Sequence, residues 1–167
     1  MVDVARLDAL PEAEFAGAVA PLFEGAPRFL HRLAWARPFD DDATLFARAE
    51  AIALAMPEGE QLELIDAHPR LGAPPATVSA ASHREQAYDR DTTEAIAELG
   101  RLNDEYEARF GFRYCVFVNG RSRRALVPVL EAALVADRGS EIRRAVADVV
   151  AIARDRAARA DAEVGVG

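Results

Sequence analysis

Apolar residues recur at three- and four-residue spacing over almost the whole chain. A chain patterned this way must bury one stripe of each helix against its neighbours. Phe15, Val19 and Leu22 share one face of a first helix that starts near Pro11, a favourable first-turn proline. The stretch "APRFLHRLAWARP" reads as a second, short helix closed by Pro38. Asp40, Asp41 and Asp42 offer a cap and a favourable dipole interaction to a third helix. Its stripe is Leu45, Phe46, Ala49, Ile52 and Ala53, and it ends before Pro57. A fourth helix runs from about Glu58 to His68. After the loop "GAPPATVSAAS", a short helix starts at Ser82. The long segment "DTTEAIAELGRLNDEYEARFG" opens on a capping box, Asp91 with Glu94, and closes at Gly111. Its inner stripe is Ile96, Leu99, Leu102, Tyr106 and Phe110. In "FRYCVFVNGRS" the period disappears, and β-branched and aromatic residues predict an extended, buried connector. Two final helices cover "SRRALVPVLEAALVAD", with a kink expected at Pro128, and "SEIRRAVADVVAIARDRAARAD". The expected fold is all-α: a single compact domain over residues 1–167, with about seven or eight helices and one extended connector.

The charge balance narrows the partners. A net charge of −8 argues against nucleic acid and anionic membrane, which want a basic face. No apolar run approaches the ~20 residues of a membrane span, and the acidic N-terminus is unlike a signal peptide. The single cysteine, Cys115, rules out an internal disulfide or a cysteine-based zinc site and suggests a reducing, cytoplasmic setting. Its apolar neighbours mark it as a small buried hydrophobe. The chain has no phosphate-loop glycine pattern, no nucleophile-elbow serine motif and no HExxH, so no metal site is expected.

The stretch "IDAHPRLGAPP" is where chemistry is most legible. A residue before proline is pushed out of the α region, so Pro69 fixes the backbone of His68 at a helix end beside a Gly/Pro loop. That aims a side chain, and it is also an ordinary way to stop a helix. His31 lies mid-helix and reads as structural or surface; His83 follows a helix cap and reads as exposed. Ser82, Glu85 and Gln86 share one face of a turn. They are either a polar lining of a pocket or, for Ser82 and Glu85, a capping box. Arg121 follows the Asn119-Gly120 turn signal and either offers its guanidinium to a carboxylate or sits in solvent. Trp35, Phe110 and Phe112 are expected in the core.

Taken together, "LIDAHPRLG", "SHREQ", "LNDEYEARFGF" and "VFVNGRS", in that order, resemble the OHCU decarboxylases of uric-acid degradation. The resemblance covers nearly the whole chain, including the opening helices. Four places depart from the family pattern: Arg113 stands where the family has proline, Tyr114 replaces a phenylalanine, Ala87 to Arg90 replace a glycine-rich stretch, and Pro128 interrupts the helix after "GRS". The resemblance implies a cofactor-independent carboxy-lyase that converts 2-oxo-4-hydroxy-4-carboxy-5-ureidoimidazoline to (S)-allantoin. It implies His68 as acid/base, Glu85 as the carboxylate that orients and tunes it, and Pro69 as the lock on its backbone. Ser82 and Gln86 would bond the ureide edges, and Phe117, Val118, Asn119, Gly120 and Arg121 would supply further donors and acceptors. The implied partner is a small ureide, and a homodimer is left open. The competing readings are a family member acting on another small ureido or carboxylate compound, and a non-catalytic helical interaction module.

Overall fold

The computed structural model describes residues 3–72 and 93–164. The expectations for Ser82, His83, Glu85, Gln86, Ala87 to Arg90 and Asp91 lie outside them. Among the described residues there are eight α-helices and no strand: α1 (Val4–Asp8), α2 (Glu12–Val19), α3 (Pro27–Trp35), α4 (Asp42–Ala55), α5 (Glu58–Asp66), α6 (Thr93–Phe110), α7 (Arg123–Leu134) and α8 (Arg138–Val164). None is long and apolar enough to cross a membrane.

The caps follow the residues that the sequence provides. The Asp41 side chain accepts from the Thr44 amide at 2.7 Å, Ser122 from Ala125 at 3.2 Å, and Asp137 from Ser140 at 2.9 Å. Gly111, at φ +78°, ends α6 in the left-handed conformation, and its N–H bonds Glu107 O at 2.9 Å. α4 and α5 pack on α8, and α6 packs on α7. The connector between α6 and α7 is extended and mostly buried, with Phe112, Tyr114, Cys115, Val116 and Val118 all turned inward. Tyr106 anchors it: its ring centroid lies 4.5 Å from Phe110, 5.5 Å from Phe112 and 5.0 Å from Tyr114.

Several expectations are corrected. The first helix is really α2 followed by a 3₁₀ turn, Ala20–Leu22, which leaves Leu22 only partly buried. α1 was not expected, because five residues show no period. It is held by the Asp3 cap and by Arg37, which donates to Leu10 O at 2.6 Å. Trp35 is 73% exposed rather than core. It ends α3 off the Leu30, Leu33 and Ala34 face, and its indole N–H is satisfied at the surface by Glu12 at 3.1 Å. Ile96 is 41% exposed, because α6 turns Ala95, not Ile96, onto the stripe of Leu99, Leu102 and Tyr106. α8 starts at Arg138, two residues early, because Asp137 caps it. Pro128 lies inside α7, which continues through it as one helical element, and the amide that proline lacks would have met Arg124 O in the first turn; this leaves the expected kink neither met nor overturned.

Candidate active site

α5 ends at Asp66, and His68 stands just past its cap. The His68 N–H closes the turn on Ile65 O at 3.1 Å, and Pro69 prevents another turn. The stretch that follows is pinned from α6 and the connector. Asn103, fully buried, donates to Leu71 O at 3.0 Å and Leu99 O at 2.7 Å. Arg70 pairs with Asp104 and Glu107. At the connector's start, the Arg113 N–H donates to the Asp66 carboxylate at 2.9 Å. Its guanidinium takes the carbonyls of Asp66 at 2.8 Å and His68 at 3.1 Å. The residue that departs from the family pattern is thus a strut behind His68.

The His68 side chain is 3% exposed. Its Nδ1 lies 3.2 Å from Leu64 O. A carbonyl only accepts, so Nδ1 carries the proton in the neutral ring and Nε2 presents a lone pair. Nε2 is buried and has no hydrogen-bond partner among the described residues. Burial, and then the positive charge of Arg156, pull the imidazole down from 6.5 to about 4; the Leu64 carbonyl and the Glu24 charge oppose this. The ring is therefore neutral at cellular pH.

Arg156, whose charge acts on His68, is a buried residue that sequence reading missed. From α8 its guanidinium bonds Pro21 O at 3.2 Å, Leu22 O at 3.1 Å and the Glu24 carboxylate at 2.8 Å. Glu24 itself is held at φ +52°, a strained backbone for a non-glycine residue. The signal was present in the sequence. Arg156 falls on the same helical face as Ile152 and Ala153, and arginine is almost never buried unless paired. Arg123, 1% exposed on the Leu126 and Leu130 face of α7, carries the same signal; its Nε stands 4.0 Å from where a Cβ on Gly72 would be.

The connector residues of the candidate site form their own turn. Asn119 and Gly120 both take positive φ, 48° and 70°, and the Arg121 N–H donates to Val118 O at 3.0 Å. The Arg121 guanidinium folds back onto the same turn, to Val118 O at 3.0 Å and Phe117 O at 2.5 Å. Two of its five N–H groups are engaged with its own backbone. The structure joins His68 and Pro69 to the connector through Arg113, and Phe117 to Arg121 lie further along that connector. Cys115 is buried, as expected, and His31 is on the surface, bonded to Glu12 at 2.6 Å. Among the described residues no group of three or more His, Cys, Asp or Glu side chains could hold a metal ion.

The fold is an all-helical domain that buries an imidazole at a helix end, with one nitrogen bonded to a carbonyl and the other an acceptor without a partner among the described residues. The chain belongs to the OHCU decarboxylase family, whose model matches residues 8–158. It is 30% identical over 157 residues to the 2-oxo-4-hydroxy-4-carboxy-5-ureidoimidazoline decarboxylase of Haloferax volcanii, covering 92% of each chain. It is 31% identical to the uric acid degradation bifunctional protein PucL of Bacillus subtilis, over 99% of this chain but only 33% of that protein. The chain thus spans about a third of its bifunctional relative. A solved OHCU decarboxylase, crystallised in the presence of (S)-allantoin, superposes with a TM-score of 0.71 at 21% identity, over 85% of this chain and 95% of that one. That likeness concerns the fold.

Proposed function

We propose that this chain decarboxylates 2-oxo-4-hydroxy-4-carboxy-5-ureidoimidazoline to (S)-allantoin, with residues 1–167 acting as one domain. The observation that carries the reading is the His68 ring, neutral and buried, with Nδ1–H committed to Leu64 O and Nε2 left without a hydrogen-bond partner among the described residues. In this substrate the carboxylate sits on a carbon next to a C=N bond. As CO2 leaves, its electron pair forms a C=C bond and the C=N pair moves to the nitrogen, which takes a proton from solvent, giving an enol-like intermediate. His68 Nε2 takes the hydroxyl proton, and the adjacent ring carbon gains a proton on one face. The bound carboxylate brings a negative charge beside the imidazole and raises its affinity for that proton during the reaction.

Glu85 tunes His68 in this reading. Leu64 O already orients Nδ1, so the role left to Glu85 is charge rather than orientation. Ser82 and Gln86 bond the ureide edges, and the backbone of Phe117 to Arg121 contributes further bonds. Glutamine serves as well as glutamate at a capping position. Glu85→Gln is therefore expected to leave the melting temperature unchanged while turnover falls sharply. A lower melting temperature with normal turnover would reduce "SHRE" to a helix start.

The substrate is its own electron sink, so the chemistry calls for neither a metal nor an organic cofactor. Incubation with a chelator is expected to leave the rate unchanged; loss of activity, restored by one particular metal, would overturn this. The function itself is tested with freshly generated substrate, by the rate above spontaneous decay and the enantiomeric excess of allantoin. A panel of related ureides tests the alternative substrates. The same proposal places the enzyme in the cytoplasm, consistent with a single buried cysteine outside any disulfide. It also takes the enzyme as a homodimer, for which exposed Trp35 is an aromatic anchor of the kind interfaces use.

A further inference from the structure

The last four carbonyls of a helix have no partner inside it. In α5 these belong to Glu63, Leu64, Ile65 and Asp66, and each is met. The Ala67 N–H bonds Glu63 O at 3.0 Å, and the His68 N–H bonds Ile65 O at 3.1 Å. The His68 ring takes Leu64 O at 3.2 Å. Asp66 O draws its donor from much further along the chain. Arg113 Nη1 donates to it at 2.8 Å and, with its second N–H, to His68 O at 3.1 Å. His68 is therefore held by its N–H, its ring and its carbonyl, and the third hold belongs to Arg113.

The connector presents Arg113 for this task. Successive side chains of an extended backbone point to opposite faces. Phe112 and Tyr114 are buried against Tyr106, with ring centroids 5.5 and 5.0 Å away, so Arg113 between them turns outward, to the end of α5. Its N–H donates to the Asp66 carboxylate at 2.9 Å, a bond that a proline in this place cannot make. Pro69 excludes the helical backbone at His68 but leaves a range of extended ones. A guanidinium on the His68 carbonyl selects among them. We propose that Arg113 is a positioning residue for the acid/base: from the connector it fixes the backbone of His68, and with it the direction in which Nε2 meets the substrate. This rests on the reading of His68 as the acid/base.

The test compares Arg113→Met, which keeps an apolar stem and donates nothing, with Arg113→Lys, whose ammonium still donates to carbonyls. Methionine is expected to lower kcat about tenfold, the worth of one net hydrogen bond, with KM within about twofold of the parent. A looser backbone also loosens the bond from Nδ1 to Leu64 O. NMR of the ring should therefore show a mixture of tautomers where the parent holds its proton on Nδ1. Lysine is expected to recover most of both. An unchanged kcat or an unchanged tautomer, whatever the melting temperature, would make Arg113 a stabilising cap only and overturn the proposal. Lysine no better than methionine would overturn it too. If the methionine variant does not fold, Arg113→Gln replaces it: its amide ends well short of the two carbonyls, and the same outcomes decide. The underlying reading is judged separately by His68→Asn. Near-parental turnover there sinks the acid/base, whatever the Arg113 variants do to the tautomer.

Discussion

His68→Asn is expected to lower kcat by about 10²- to 10⁴-fold, the usual worth of a positioned acid/base, while the protein stays folded. Asparagine can still donate to Leu64 O, so the helix end keeps its bond; what it lacks is a group that accepts and returns a proton. Stability should respond in a particular way. The folded-state pKa of His68 lies below its unfolded value, about 4 against 6.5. The unfolded chain therefore binds the proton more readily. The stability that neutral His68 contributes is present above ~6.5 and is lost as pH falls toward about 4, roughly 3 kcal/mol in all. The asparagine variant should lose this part of the acid limb and unfold at lower pH, relative to its stability at neutral pH, than the parent. Near-parental turnover in a folded variant would remove His68 from the mechanism.

The second large effect is on pH–rate behaviour. kcat/KM reports the free enzyme, and there the base must be neutral. The profile is expected to stay level from about pH 8 down to 5 and to fall only as pH approaches about 4. An inflection near 6.5 would contradict the buried, neutral imidazole. The substrate's own carboxylate also titrates at low pH, so a variant must separate the two. Arg156 lowers the His68 pKa and Glu24 raises it. Arg156→Met removes the first influence and leaves the second, so the limb should move up in pH, whereas a limb set by the substrate would not move. The same change leaves the part-buried Glu24 carboxylate without its arginine and should cost a few kcal/mol of stability. Measuring the His68 ring by NMR in the unmodified protein gives an independent check: neutral at pH 6, with the proton on Nδ1.

Much of this was legible because helices write themselves at close range. Leu45, Phe46, Ala49 and Ala53 declare one face of α4, and Asp41 and Gly111 mark ends by local chemistry. The failures share a different cause. Trp35 and Ile96 were assigned inward on hydrophobicity, yet a residue's position around the helix outranks its type. The place of His68 at a helix end could be read from Pro69, because that constraint acts on the residue just before it in sequence. Its protonation could not, because the groups that set it, Arg156 and Glu24, arrive from elsewhere along the chain. The same holds for Arg121, whose turn was predicted correctly while the engagement of its guanidinium with Phe117 O and Val118 O depends on how that turn folds. A buried charge on an apolar stripe is the one trace such tertiary partners leave in the sequence.

Cys115 is the chain's single thiol, and it lies buried in the connector, two residues before Phe117 and with its carbonyl held by Arg144. A buried thiol reacts only when the structure around it opens. The rate at which a thiol reagent consumes Cys115 is therefore a clock on the opening of this segment, readable in the unmodified protein without a label. Added allantoin would slow that clock only if the closed segment is the form that holds it.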